Sequence, residues 1–183
     1  MFDKFGEFDT FEEINEKADE LFNDSSVDSA DIMELARENG IPEEIASAYL
    51  EGDVPFLCDA ATAAVGKIEM EREETALEGV LEDWISYIES ECQEDERLAR
   101  AVRRKDKSLK GCIAQLLLES LLNQKQVDAD ILKIVEQQVK ERGINLKKEC
   151  GMEPGWLRYT KLGFPGMGQV KKLIRAYYLE VAS

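Results

Sequence analysis

The side chains that could do chemistry fall into two charged sets, and the larger is a run of carboxylates between residues 69 and 96. Its twelve members, named the acidic array, are Glu69, Glu71, Glu73, Glu74, Glu78, Glu82, Asp83, Glu89, Glu91, Glu94, Asp95 and Glu96. Like charges four residues apart on a helix cost roughly 0.2–0.5 kcal/mol per pair, and Glu74, Glu78 and Glu82 form two such pairs. Two interpretations are open: a solvated helix face, or a surface that imitates the charge of a DNA duplex and binds a basic partner.

The second charged set is basic and lies in the second half of the chain. Its nine members, named the basic set, are Arg97, Arg100, Arg103, Arg104, Lys107, Lys110, Lys171, Lys172 and Arg175. The simpler interpretation is that these residues form salt bridges with the acidic array. The alternative is that they contact phosphate groups of nucleic acid, which we keep as a secondary hypothesis.

The composition argues against an enzyme. The chain has no histidine, and four cysteines are too far apart for a CxxC pair: Cys58, Cys92, Cys112 and Cys150. No familiar zinc site can be built from these residues, and the aspartates between residues 24 and 31 lack the alternation and central glycine of a calcium loop. We therefore predict no catalytic residues, no metal, no cofactor and reduced cysteines.

Net charge divides the chain into two unlike halves. Residues 1–96 hold 30 acids and 5 bases, a net of −25, whereas residues 97–183 hold 9 acids and 18 bases, a net of +9. The resulting charge of −16 repels DNA and anionic membranes at long range and attracts basic surfaces. Because neither a signal-peptide pattern nor an apolar run long enough to span a bilayer is present, we expect a cytoplasmic protein without membrane contact.

Hydrophobic spacing predicts an all-α fold of about eight helices. The clearest helix carries one apolar stripe made of Leu77, Val80, Leu81, Trp84, Ile85 and Ile88. Thr10 and Glu13 predict the start of the first helix, and Gly40 predicts the end of the second. A Gly/Pro-rich irregular segment over residues 144–168, with room for a short hairpin, precedes the last helix. We expect a mobile tail (1–9), an acidic helical N-terminal region (10–53) and a helical core (54–183).

The two helices that flank Gly40 have the spacing of a helix-turn-helix motif. If this motif bound DNA, its second helix would bring Glu43, Glu44 and Glu51 to the phosphates without a neutralising base. We therefore predict a packing hairpin at this position.

Several short motifs resemble those of the PcfK-like proteins of Gram-positive mobile elements. They are KSLKGCI at residues 107–113, LGFPGM at 162–167, KKLIRAYYL at 171–179, EDWISYI at 82–88 and LARAVRR at 98–104. The similarity covers most of residues 54–181, so the predicted core is its PcfK-like part. Some members of this group are anti-CRISPR proteins that inhibit type II-A Cas9 by binding it, and the family has no catalytic residues to transfer.

The resemblance implies a protein that binds Cas9 or its complex with guide RNA and blocks DNA binding or cleavage. Charge suggests the route, which is mimicry of DNA by the acidic array in a basic channel. The alternative function is a non-catalytic accessory protein of a conjugative or phage element that contacts nucleic acid or transfer machinery through its basic half. Trp156, Tyr177 and Tyr178 are candidates either for a homodimer surface or for the core.

Overall fold

The computed structural model describes residues 8–24, 28–75, 77–153, 155 and 160–179. In these residues the chain forms ten helices and two short strands, which confirms the predicted all-α fold. The helices are α1 (Phe11–Asn23), α2 (Ser29–Glu38), α3 (Glu43–Glu51), α4 (Ala60–Glu73), α5 (Val80–Glu94), α6 (Glu96–Arg103), α7 (Leu109–Leu122), α8 (Ala129–Glu141), α9 (Leu146–Cys150) and α10 (Met167–Leu179). The strands are β1 (Lys125–Gln126) and β2 (Lys161–Leu162).

Local capping signals place the first helix ends where the sequence predicts them. The side chain of Thr10 accepts a hydrogen bond from the backbone N–H of Glu13, which begins α1. Gly40 follows α2 with a φ of 68°, in the left-handed region that glycine adopts without steric cost. Helices α2 and α3 pack against each other as the predicted hairpin.

The irregular segment differs from its prediction. β2 lies inside residues 144–168, but it pairs antiparallel with β1, which precedes α8. The described part of the segment therefore contains no hairpin of its own, and it also holds α9, which the sequence pattern does not predict. Residues 1–7 of the predicted tail and Trp156 lie outside the described residues.

The chain divides into two compact units with bounds that differ from the predicted regions. Unit 1 comprises Met1–Gln115 and Val170–Ser183, and unit 2 comprises Leu116–Gln169. Unit 1 contains a core that joins buried residues of α1, α2 and α3 to Leu57, Cys58 and Ala63. It also contains a second group of helices in which α4, α5 and α6 pack against one another.

A close backbone contact joins the turn after α2 to α4. A Cβ atom added to Gly66 would lie 2.6 Å from the carbonyl oxygens of both Asn39 and Gly40. Gly66 thus permits the close approach of α4 to this turn, because a side chain at that position would hold the two segments apart.

The polar residue Lys67 is buried in unit 1, where it caps α6. Its ammonium group donates hydrogen bonds to the carbonyl oxygens of Val102 at 3.1 Å and Lys107 at 2.7 Å, and also to those of Arg103 and Arg104. Three of these carbonyls, those of Val102, Arg103 and Arg104, belong to the C-terminal end of α6, where helix acceptors lack partners within the helix. The fourth, that of Lys107, lies in the loop before α7. Lys67 therefore fixes the orientation of α6 relative to α4.

Unit 2 holds α8, α9, both strands and the C-terminal half of α7. Gly163 lies against the end of α7, where an added Cβ would be 1.9 Å from the carbonyl oxygen of Ser120. In the described residues of this unit, only Leu116 and Leu132 are buried hydrophobic residues. Among all described helices, none is long and apolar enough to cross a membrane.

Candidate partner-binding surface

Helices α4 and α5 carry most of the acidic array on their outer faces. Helix α5 buries the second half of the apolar stripe that its spacing predicts, with Trp84, Ile85 and Ile88 each at most 1% exposed, whereas Val80 at the start of the helix is 40% exposed. Because this stripe occupies one side of the helix, the acids between its positions point outward or toward its edges. The hydrophobic pattern of α5 thus determines which carboxylates solvent and partners can reach.

Seven of the twelve acids form ion pairs within the chain. Arg72 contacts Glu82 at 2.9 Å and Glu69 at 3.5 Å. The other pairs are Lys110–Glu74 at 2.9 Å, Lys67–Glu71 at 3.9 Å, Arg100–Glu96 at 2.9 Å and the contacts of Arg175 with Glu91 and Asp95. The simpler interpretation, salt bridges between the two charged sets, therefore holds for the four acids that pair with Arg100, Lys110 and Arg175. The other three pair with Lys67 or Arg72, which lie outside the basic set.

Arg175 of α10 pairs with two acids of the array. One guanidinium nitrogen lies 3.0 Å from Glu91 and another lies 2.5 Å from Asp95. The bond from Arg175 lowers the pKa of Asp95, and two backbone amides at the start of α6 also donate to this carboxylate. Asp95 thus caps α6 and also forms an ion pair with Arg175 of α10.

Glu89 is the least solvated acid of the array that has no ion pair in the described chain. Its Oε1 atom is buried and meets no hydrogen-bond donor among the described residues. Burial raises the pKa of Glu89, and the neighbouring carboxyl of Glu69 raises it further. Both effects disfavour the charged form, so Glu89 is poorly placed to present a negative charge to a partner.

Eight acids of the array are exposed, and four of them also form an ion pair with a described residue: Glu69, Glu74, Glu82 and Glu96. The other four exposed acids, Glu73, Glu78, Asp83 and Glu94, form no ion pair with a residue in the described ranges. The exposed acids without an ion pair are therefore a third of the twelve-residue surface that the sequence predicts.

The basic set is largely occupied by contacts inside unit 1. Arg103 is 2% exposed and donates to the side-chain oxygen of Asn39 at 2.6 Å. Arg104 pairs with Asp106, and Lys171 lies 4.6 Å from the ring centroid of Tyr87. Such residues are not available to phosphate groups without the loss of an existing contact.

The aromatic residues of α10 lie close to one more member of the basic set. Lys107 donates to the backbone carbonyl of Tyr177 at 2.6 Å. Tyr178 is 1% exposed, which places it in the core rather than on a dimer surface. The exposed members of the basic set that have no ion pair to a described residue are Arg97, Lys171 and Lys172, and Lys171 lies over the ring of Tyr87.

A second group of acids, in α1–α3, is less neutralised than the acidic array. Residues 10–53 contain 14 acids and only two bases, Lys17 and Arg37, which pair with Glu20 and Glu34. Five of these acids are exposed and form neither an ion pair nor a side-chain hydrogen bond with a described residue: Glu16, Glu43, Glu44, Glu51 and Asp53. We name Glu43, Glu44, Glu51 and Asp53 the α3 acids.

The sequence also contains a signal for this second group, although acidic residues are denser in the array of residues 69–96. No basic residue occurs between Arg37 and Lys67, so the acids of α3 have no nearby cation along the chain. The density of acids is higher in the array, but only the folded chain shows which carboxylates meet a base from a distant segment.

Comparison of the chain with protein-family models, curated proteins and solved structures gives no match. The resemblance to PcfK-like proteins therefore rests on the motifs within residues 54–181. In the described part of the chain, no group of three or more acidic or cysteine side chains is arranged to hold a metal ion.

Proposed function

We propose that this chain is a non-catalytic protein that binds Cas9, alone or with its guide RNA, and prevents target DNA from being bound or cut. The motifs within residues 54–181 support the choice of partner. The net charge of −16 supports the mode of binding, because Cas9-type proteins hold nucleic acid in a positively charged channel.

The observation that carries the proposal is the surplus of exposed carboxylates in α1–α3. The chain supplies almost no cation to these acids, so a basic channel can bind them without first breaking an ion pair. Most acids of the array, in contrast, would have to break an ion pair with Arg72, Lys110 or Arg175 before they bind a partner. We therefore assign the main contact to the α3 acids and a secondary contact to Glu73, Glu78, Asp83 and Glu94.

A DNA-cleavage assay with purified, guide-loaded Cas9 tests the function. We expect wild-type chain to inhibit cleavage, and more weakly as salt is raised, because exposed charges are screened by added ions. Undiminished cleavage at a large molar excess of the chain removes the proposed function.

Two charge-reversal variants test the assigned surface. The first replaces the α3 acids with lysine, and the second replaces Glu73, Glu78, Asp83 and Glu94 with lysine. Each variant has four reversals and so changes the net charge equally, which makes either one the matched control for the other. We expect the first to raise the inhibitory concentration at least about tenfold more than the second, as several exposed charge pairs of about 0.5–1 kcal/mol would be lost. Equal effects would remove the assignment to α3.

The alternative function, nucleic-acid contact through the basic half, has less structural support. Most of the basic set already contacts carboxylates, carbonyls or an aromatic ring within unit 1. A gel-shift titration separates the two functions, because tight DNA binding that weakens steeply with salt would favour the alternative.

A further inference from the structure

Unit 2 turns most of its large apolar side chains outward. Of thirteen exposed large hydrophobic residues in the described chain, ten lie within Leu116–Gln169. Single exposed hydrophobic residues are normal on a monomer, but a concentration of them is typical of a surface that another molecule covers. Neither the charge pattern nor the proposed Cas9 contact accounts for this concentration.

Helix α7 shows the feature most clearly because it is apolar on two opposite faces. The buried face contains Leu109, Cys112, Ile113 and Leu116, each at most 4% exposed. The other face, named the leucine stripe, contains Leu117, Leu118, Leu121 and Leu122, which are 38–70% exposed. At about 100° per residue the stripe spans roughly 140° of the helix surface, opposite the buried residues. A helix that is apolar all round is normally covered on both sides.

We propose that the leucine stripe, together with the exposed Ile131 and Ile134 of α8, packs against the same surface of a second copy of this chain. These six side chains present on the order of 350 Å² of apolar area, at about 100 Å² for each fully exposed residue. Two copies would then bury about 700 Å² of apolar area, or roughly 1,100 Å² in total if about 65% of a homodimer interface is apolar. This area reaches the lower limit of a specific interface, so the dimer is weak.

The distribution of charge favours a second copy as the occupant. Residues 116–169 contain 7 acids and 8 bases, so unit 2 is almost neutral although the chain carries −16. Two copies that meet through unit 2 bring neutral, apolar surfaces together. Added salt therefore leaves the dimer intact or strengthens it, whereas it weakens the proposed contact with Cas9.

Sedimentation equilibrium of the full chain, from about 5 to 200 µM, tests the proposal. A reducing agent is present throughout because Cys150 is exposed and could cross-link two chains. We expect the mass to rise from that of a 20.7 kDa monomer toward twice that value at both low and high salt. A monomer at every concentration overturns the proposal and leaves the stripe to a different partner.

Two lysine substitutions locate the interface. Leu122→Lys places a charge in the leucine stripe, where the side chain is 70% exposed, and Phe56→Lys places one on a 63% exposed apolar residue of unit 1. Each symmetric dimer loses two buried leucines in the first variant, so its dissociation constant should rise at least about 30-fold. Phe56→Lys should leave the constant within about twofold of wild type.

Circular dichroism checks whether both variants keep their helices. We expect that they do, because Lys is compatible with an exposed position in the last turn of α7. If Leu122→Lys fails to fold, Ile134→Lys on α8 replaces it, with the same expected loss of dimer. A dimer that persists in the folded stripe variant, or that weakens equally in Phe56→Lys, refutes the assigned surface.

Discussion

Replacement of Lys67 with methionine tests whether the buried ammonium group holds α6 in place. Methionine has nearly the same length as lysine, so the substitution creates no large cavity. It removes the donor to three carbonyl oxygens at the end of α6 and to one in the loop that follows, and leaves buried acceptors without a partner. The carboxylate of Glu71, 3.9 Å away, also loses its cation.

The expected cost follows from these contacts. Each hydrogen bond to a charged group contributes about 1.5–3 kcal/mol, and an ammonium group has three protons to donate. Removal of the buried ammonium recovers part of its desolvation penalty, so we expect a net loss of about 3–5 kcal/mol in the free energy of unfolding. For a chain of this size, that loss lowers Tm by roughly 6–20 °C.

Thermal unfolding followed by circular dichroism measures this change, with Lys17→Met as the matched control. Lys17 is 37% exposed and forms an exposed ion pair with Glu20 in the same unit, so its loss should cost less than about 1 kcal/mol. Hydrogen exchange of the α6 amides should accelerate in the Lys67 variant alone. If the two variants have Tm values within about 2 °C of each other, the assigned role of Lys67 is wrong.

Two further substitutions probe the packing and the electrostatics of unit 1. Gly66→Ala should lower the free energy of unfolding by about 3 kcal/mol, because its Cβ would lie 2.6 Å from two backbone oxygens. The control Gly168→Ala has open space around it and should be neutral or slightly stabilising in the same thermal scan. Glu89→Gln should raise the free energy of unfolding by on the order of 0.5 kcal/mol at pH 7, the cost of one like-charge contact. Because the pKa of Glu89 is raised in the folded state, ionisation of Glu89 destabilises the fold only as pH rises above the ordinary pKa of 4.5. The stability gained by Glu89→Gln should therefore vanish near pH 4. Denaturation at both pH values, with Glu78→Gln as the exposed control, checks this sign, and an equal gain at pH 4 would contradict it.

Local sequence signals were sufficient for the start of α1 and the end of α2. The capping residue Thr10 and the positive φ of Gly40 depend on interactions within a few residues, so the chain order alone predicts them. The spacing of Trp84, Ile85 and Ile88 likewise predicts the buried face of α5. The pairing of β1 with β2 was not predictable in this way, because strand partners across an intervening helix are chosen by tertiary contacts.

The chemical role of the acidic array was decided by the folded chain. The high density of acidic residues in the sequence predicts that residues 69–96 form the strongest acidic surface. This density does not show that bases of α7 and α10 contact those acids in the folded chain. The contacts of Lys110 and Arg175 neutralise part of the array and leave the exposed acids of α1–α3 as the larger unpaired group.

By itself, the sequence determined the helical class, the helix ends set by caps and glycines, and the large negative charge, because each of these depends on residue type and short-range spacing. Only the tertiary structure decided which carboxylates keep their charge unpaired, why Lys67 is buried, and that the leucine stripe of α7 is exposed. These properties depend on distances between segments far apart in the chain. Residue spacing along the chain does not give these distances, because they are set only when the helices pack.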